Sequence, residues 1–214
     1  MTDRKGYLDV RAHVSRVFNF DARLPGQVFR GDARGSLFCE FDAVLAPEFW
    51  LALRAMAGWH GDRQVELLVL EPDCDDFYFP EYGMYPAVSL SAEADVDDYW
   101  AAIGYEPDDE VLGSIAISAK VIAVTGPSGR WGCWGERDAE IAVFQGFPNM
   151  PTRNEWRAQF GPFLEVSGAL ETYLPLAFAG RTVPGEYAAI LATNYGPGTD
   201  PPLRNHDGRT TSLA

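Results

Sequence analysis

The chain has 214 residues and a formal net charge of −14, because 31 Asp and Glu outnumber 17 Lys and Arg. This acidic balance disfavours direct binding to nucleic acid and to anionic membrane surfaces, since both attract Lys and Arg. No apolar run approaches the roughly 20 residues that cross a bilayer, and the first residues contain no apolar stretch of signal-peptide length, so we expect a cytoplasmic protein.

The first half of the chain is predicted to contain strands and two helices. Apolar residues at every second position from Leu8 to Phe20 predict a strand with one buried face. Pro47 is followed by apolar residues at helical spacing, which predicts a helix over 47–57. Further strands are expected at 36–45, 65–70 and 87–90, and a second helix at 93–103 with Trp100 in the core.

The second half is predicted to begin with a β-meander and to continue with helices. Apolar and β-branched residues between 111 and 146 predict three or four strands, in which Trp131 and Trp134 point to opposite faces. Helices are expected after Thr152 and after Pro162, a final strand at 187–193, and a flexible tail at 196–214.

These elements come in unequal groups and not in a regular alternation of strand and helix. Such grouping favours an α+β fold in which three or four helices pack on a mainly antiparallel sheet. Hydrophobic residues make up 47% of the chain, and neither a repeat nor a linker divides it. We therefore predict one domain over residues 1–195, followed by the tail 196–214.

The negative charge is concentrated in one stretch of the chain. Residues 64–119 contain fourteen Asp and Glu and no Lys, Arg or His, so the rest of the chain is formally neutral. Surfaces of one sign steer partners of the opposite sign. Aromatic residues are interleaved with these acids, and aromatic anchors within a charged rim are typical of protein-binding hot spots.

Cysteine spacing gives no sign of a disulfide framework or a zinc site. Cys39, Cys74 and Cys133 are odd in number and far apart in the chain. We expect three reduced and mostly buried thiols. We also expect no bound metal and no cofactor.

Motifs for catalysis are weak as well. His13, His60 and His206 are isolated, and His13 falls on the solvated face of its predicted strand, so we interpret each as a structural or bystander residue. Residues 126–129 predict a hairpin turn, because Arg130 stands where a nucleophile elbow requires glycine. We therefore name no catalytic residue, and an enzyme is the less favoured class.

The leading hypothesis is an acidic protein-binding module, namely a bacterial immunity or inhibitor protein that blocks the basic cleft of a toxin such as a nuclease. A nuclease presents Lys and Arg to phosphates, so an acidic surface can occupy its cleft. The expected partner is a basic protein. The carboxylates predicted to face it are Asp73, Asp75, Asp76, Glu81, Asp97, Asp98, Asp108, Asp109 and Glu110. The predicted aromatic anchors are Tyr78, Tyr82 and Tyr85.

Two alternatives remain open at this point. Hard divalent cations prefer clustered carboxylates, so a metal-dependent enzyme is one of them. In the other, the apolar helices 47–57 and 162–174 form the oligomer interface of a structural or assembly subunit. Stabilisation by calcium, magnesium or manganese would favour the enzyme, whereas a mass that depends on concentration would favour the subunit.

Overall fold

The computed structural model describes residues 3–197, which form a six-stranded antiparallel sheet with helices on both faces. The strands are Leu37–Glu40 (β1), Gln64–Glu71 (β2), Ala87–Ser91 (β3), Val121–Thr125 (β4), Gly132–Glu136 (β5) and Ile141–Gln145 (β6). The α-helices are Arg4–Val17 (α1), Phe41–Val44 (α2), Phe49–His60 (α3), Phe79–Tyr82 (α4), Val96–Ile103 (α5), Ile115–Ser118 (α6), Met150–Phe160 (α7), Val166–Thr172 (α8), Leu174–Ala177 (α9) and Gly185–Tyr195 (α10). The predicted α+β fold is confirmed, but this part of the chain has ten α-helices and not the three or four that we expected.

The strands are arranged in the order β1-β6-β5-β4-β2-β3. In the middle of the sheet β4 pairs with β2 and with β5. All five residues of β4 are buried, because helices cover both faces of the sheet. This burial explains why the sequence of β4 is a continuous apolar run and not an alternation.

Two hydrophobic cores lie on opposite faces of the sheet. Helices α3, α5 and α7 cover one face, where Trp50, Trp131 and Trp156 are fully buried. Helices α1, α8 and α10 cover the other face, where the ring centroid of Trp134 lies 5.6 Å from that of Phe18. The prediction that Trp131 and Trp134 point to opposite faces is confirmed.

The strand predicted from Leu8 to Phe20 is wrong, since these residues belong mainly to helix α1. The buried residues of α1 are Tyr7, Val10, Val14 and Val17, which recur at the spacing of three or four that a helix requires. Val10 and Val14 fit both the period of two of a strand and the period of 3.6 of a helix, so the alternation in the sequence did not identify a strand. The start of the helix is stabilised by Asp3, whose side chain accepts a hydrogen bond from the Gly6 backbone N–H at 2.8 Å.

Two other predicted strands are also corrected. Residues 187–193 lie in helix α10, where an alanine-rich sequence favours a helix over a strand. The predicted meander begins later than expected, because α6 occupies residues 115–118 and the strand starts only at Val121. A short apolar run fits a buried strand and a buried helix equally well, so periodicity could not separate them.

Most other elements lie where the sequence placed them. Helices α3 and α5 and strands β2 and β3 match the predicted ranges closely. Within α5, however, Tyr99 and Ile103 are buried whereas Trp100 is 48% exposed, so the expected core position of Trp100 is wrong. No helix among residues 3–197 has the length and apolar character needed to cross a membrane. Nearly all of the predicted tail, 198–214, lies outside the described residues.

Candidate protein-binding surface

Twelve of the fourteen acids in the stretch 64–119 are exposed, and none of the twelve makes a salt bridge within residues 3–197. The other two are paired with side chains from the N-terminal region. Glu66 is buried with a carboxylate oxygen 2.9 Å from Nδ1 of His13, and Glu71 lies 3.4 Å from Arg23. The twelve unpaired acids are Asp73, Asp75, Asp76, Glu81, Glu93, Asp95, Asp97, Asp98, Glu106, Asp108, Asp109 and Glu110.

The sheet topology divides these twelve acids into two groups. Glu71 at the end of β2 pairs with Val121 at the start of β4, so the chain segments beyond both residues leave the sheet at the same end. We call this region the acidic end, and its carboxylates are Asp73, Asp75, Asp76, Glu81, Glu106, Asp108, Asp109 and Glu110.

The remaining group lies at the start of α5, close to the opposite end of β3. There Asp95 caps the helix, and Asp97 and Asp98 occupy its first turn. Eight helical residues span about 12 Å, so Asp97 and Asp98 lie roughly one helix length from the acidic end. The structure thus brings seven of the nine predicted carboxylates together and sets these two apart.

Specific contacts join the two segments that form the acidic end. The hydroxyl groups of Tyr78 and Ser118 lie 2.7 Å apart in a hydrogen bond. Gly113 approaches the ring of Pro107 and the ring of Tyr82 so closely that a Cβ atom there would collide with Pro107. The β2–β3 connection and the segment before β4 therefore form one packed unit.

We expect Gly113→Ala to destabilise this unit by about 1–3 kcal/mol, since overpacking of this kind forces neighbouring groups apart. Urea unfolding provides the measurement. Gly58→Ala is the matched control, because nothing lies within 4 Å of the added Cβ and Gly58 is inside helix α3. The free energy of unfolding of Gly58→Ala is expected to rise by about 0.5–1 kcal/mol. Equal effects from the two substitutions would contradict the packing that we describe.

The three predicted aromatic anchors differ in their exposure. Tyr78 is fully buried, so it is not available as a surface anchor. It ends a short π-helix, Cys74–Tyr78, that begins at the Asp73 cap and turns Cys74 and Tyr78 inward. Tyr82 and Tyr85 are half-buried, and the ring of Tyr85 packs between those of Tyr7 and Phe79 at centroid distances of 5.4 and 5.1 Å.

Exposed apolar side chains accompany the acids at this end of the molecule. Twelve large hydrophobic side chains are exposed in the described residues, and six of them lie on or beside the acidic end. The six are Leu8, Phe79, Tyr105, Val111, Leu112 and Ile117. The sequence does not distinguish them from core residues, because only the fold shows which apolar side chains point outward. Apolar groups within a charged rim are the usual composition of a protein interface.

A groove lies between helix α1 and the acidic end. Its larger part has a volume of about 490 Å³ and is lined by Asp3, Arg4, Tyr82, Gly83, Met84, Tyr85, Tyr105 and Pro107. A smaller depression of about 160 Å³ shares Arg4 and Tyr85 with it and is lined also by Tyr7, Leu8, Arg11, Asp73 and Asp75. We call the larger part the tyrosine groove.

Two neighbouring carboxylates of the acidic end have unusual backbone conformations. Asp108 and Asp109 have φ angles of 52° and 62°, in the left-handed region that non-glycine residues rarely adopt. Aspartate is among the residues that tolerate this region best. The conformation holds both side chains on the exposed surface of the segment before β4.

His13 does not lie free in solvent as its predicted strand suggested, because it pairs with the buried Glu66. Its Nδ1 atom lies 2.9 Å from both carboxylate oxygens of Glu66, a residue 3% exposed beneath helix α1. A second partly buried carboxylate, Asp62, accepts hydrogen bonds from Ser128 and from the Trp131 indole. These contacts connect α1 and the turn 126–129 to the sheet, which is a structural role.

We expect the free energy of unfolding to fall as the pH rises above about 4.5, through the window between the ordinary and the raised pKa of two buried carboxyl groups. Burial raises the pKa of Glu66 and of Glu136 above the ordinary value of 4.5, and neighbouring groups oppose the rise only in part. Between the ordinary and the raised pKa the folded state holds more protons than the unfolded state, so stability decreases with pH across that window. The slope is about 1.4 kcal/mol per pH unit for each such group at most.

Urea unfolding at several pH values measures this dependence. The control is Asp32→Asn, since the exposed Asp32 has its pKa lowered to about 2 by Arg34 and titrates far below the window. That substitution should leave the slope of stability against pH above pH 4.5 unchanged. A protein whose stability rises over this range would refute the prediction.

Other chemistry suggested by the sequence finds little support in the geometry. No three His, Cys, Asp or Glu side chains among residues 3–197 lie close enough together to hold a metal ion. The three cysteines are free and buried, as predicted. The arrangement is best suited to binding a large partner through an extended acidic and apolar surface.

Comparison with known proteins gives no independent indication of function, since no protein-family model, curated protein or solved structure matches the chain.

Proposed function

We propose that this chain is an immunity or inhibitor protein that covers the basic cleft of a toxin, and that a nuclease is the class of toxin its surface fits best. The observation that carries the proposal is the set of twelve exposed carboxylates without a salt bridge in the described range. Carboxylates that pair within the fold are partly neutralised. Unpaired ones keep their charge for a partner and speed its association.

Affinity for such a partner requires more than charge. Exposed ion pairs contribute little binding free energy, whereas apolar and aromatic groups at the centre of an interface contribute most of it. The exposed side chains of Phe79, Tyr105 and Leu112 lie among the acids and supply this component. A nuclease cleft offers the complementary set, because it combines cations for phosphate with surfaces for bases.

The two alternative functions have less support. The apolar residues of helix α3, including Trp50, Leu53 and Met56, pack into the core, and so do Val166 and Leu174. Neither helical region therefore presents the broad apolar face that an assembly interface needs. A metal-dependent enzyme would need converging carboxylates, and no three His, Cys, Asp or Glu side chains among residues 3–197 are placed to hold a metal ion.

The experiment that tests this function is affinity purification of the tagged chain from cell extract of its source organism, washed at low and at high salt. We expect a stoichiometric basic protein whose retention weakens as salt screens the charges. The proposal includes a cytoplasmic location, so the partner should appear in the cytoplasmic fraction. Failure to retain a basic protein at either salt concentration would reject it.

A further inference from the structure

We propose that the tyrosine groove receives an arginine side chain of the partner, an inference that rests on the proposed function and adds the chemistry of the partner's central contact. The groove is a concave site beside the acidic end, with a volume of about 490 Å³. Concave sites at an interface are where single side chains of a partner insert and are fully desolvated.

The hydrogen-bonding state of the groove favours a donor. Tyr82, Tyr85 and Tyr105 all line it, and their hydroxyl groups make no hydrogen bond to any atom of residues 3–197. Phenol oxygens can accept hydrogen bonds, and a guanidinium group presents five N–H donors. Three unpaired hydroxyl groups in one groove therefore match a ligand rich in donors.

The aromatic rings favour a flat cation over a compact one. Tyr105 is 51% exposed and makes no ring–ring contact within the described chain, so a face of its ring is available. Arginine stacks on aromatic faces and is weakly hydrated, whereas the lysine ammonium is compact and strongly hydrated. The groove should therefore prefer arginine to lysine.

The charge around the groove has the sign that this ligand needs. Asp3 lines the groove, and Glu81, Glu106 and Asp108 are immediate chain neighbours of residues that line it. Arg4 is the one cation among the described residues that line the groove. Its charge opposes a cationic ligand, so removing that charge should strengthen binding.

The inference is tested by isothermal titration calorimetry at low salt. The full chain is titrated with a hexa-arginine peptide and, separately, with a hexa-lysine peptide. We expect tighter binding of hexa-arginine. Tyr105→Ala should weaken it about threefold, as loss of an exposed cation–π contact would. Arg4→Gln should strengthen it about twofold through the loss of one like charge. Tyr82→Phe removes only a hydroxyl group, so it should leave the fold intact and should also weaken the binding of hexa-arginine.

The matched control is Trp59→Ala, which removes a 40% exposed aromatic ring on helix α3 and should leave binding unchanged. Equal affinity for the two peptides, or hexa-arginine binding that is the same in the wild type and in Tyr105→Ala, would overturn the inference and indicate diffuse charge attraction only. The proposed function fails separately, when no basic protein is retained from extract. A captured toxin that binds wild type and Tyr105→Ala equally would overturn only the arginine groove.

Discussion

Replacing His13 with alanine is expected to lower the free energy of unfolding by about 2–4 kcal/mol near pH 7, because it leaves the buried Glu66 carboxyl without its hydrogen-bond partner. Glu66 is 3% exposed, and both of its oxygens lie 2.9 Å from the His13 ring nitrogen. The His13 side chain is 33% exposed, so the loss of stability should be smaller than for a pair in which both side chains are fully buried. Urea unfolding measures the change.

One control makes this result specific to the pair. The double variant His13→Ala, Glu66→Leu should recover much of the lost stability, since an apolar group replaces the stranded carboxyl. A His13→Ala variant that loses hardly any stability, or a double variant that recovers none of the loss, would show that the pair contributes little.

Removing the charges of the acidic end is expected to slow association with the basic partner by about 10- to 100-fold at low salt, while changing the dissociation rate much less. The variant converts six carboxylates to the matching amides and so keeps their shape. The six are Asp73, Asp75, Asp76, Asp108, Asp109 and Glu110. Stopped-flow association at several salt concentrations with the captured partner measures both rate and salt dependence.

A charge-matched control separates local from global electrostatics. It changes six other exposed acids that make no salt bridge in residues 3–197, so both variants carry the same net charge. The six are Asp21, Glu48, Asp138, Glu155, Glu171 and Glu186. We expect a much smaller effect from this control. Equal slowing in both variants would mean that net charge, and not the acidic end, steers the partner.

The sequence predicted the fold well where local pattern and tertiary packing agree. Helix α3 and strand β2 carry clear signals in composition and period, and both lie within a few residues of the expected bounds. Helix α1 was missed because its polar and apolar residues fit two periods, and only packing over β2 selects the helical one. The helix α10 was missed because a short apolar run carries no period at all.

The candidate site was predictable in charge but not in detail. The absence of basic residues over 64–119 identified the acidic surface, since net charge is a property that the fold redistributes but does not alter. The π-helix that buries Tyr78 has no sequence signal of its own, and one position decides whether Tyr99 or Trp100 faces inward. The His13–Glu66 contact spans 53 residues of sequence, so no local pattern could reveal it.

The three buried cysteines can be used to measure local opening of this protein. Cys39 and Cys133 lie in strands β1 and β5, whereas Cys74 lies in the π-helix of the acidic end. A thiol-specific dye can react with each of them only after the surrounding structure has opened. Fast labelling of Cys74 with slow labelling of Cys133 would mean that the binding surface fluctuates while the sheet stays closed. Equal rates would mean that this surface opens only when the whole protein unfolds, and that a partner meets it already formed.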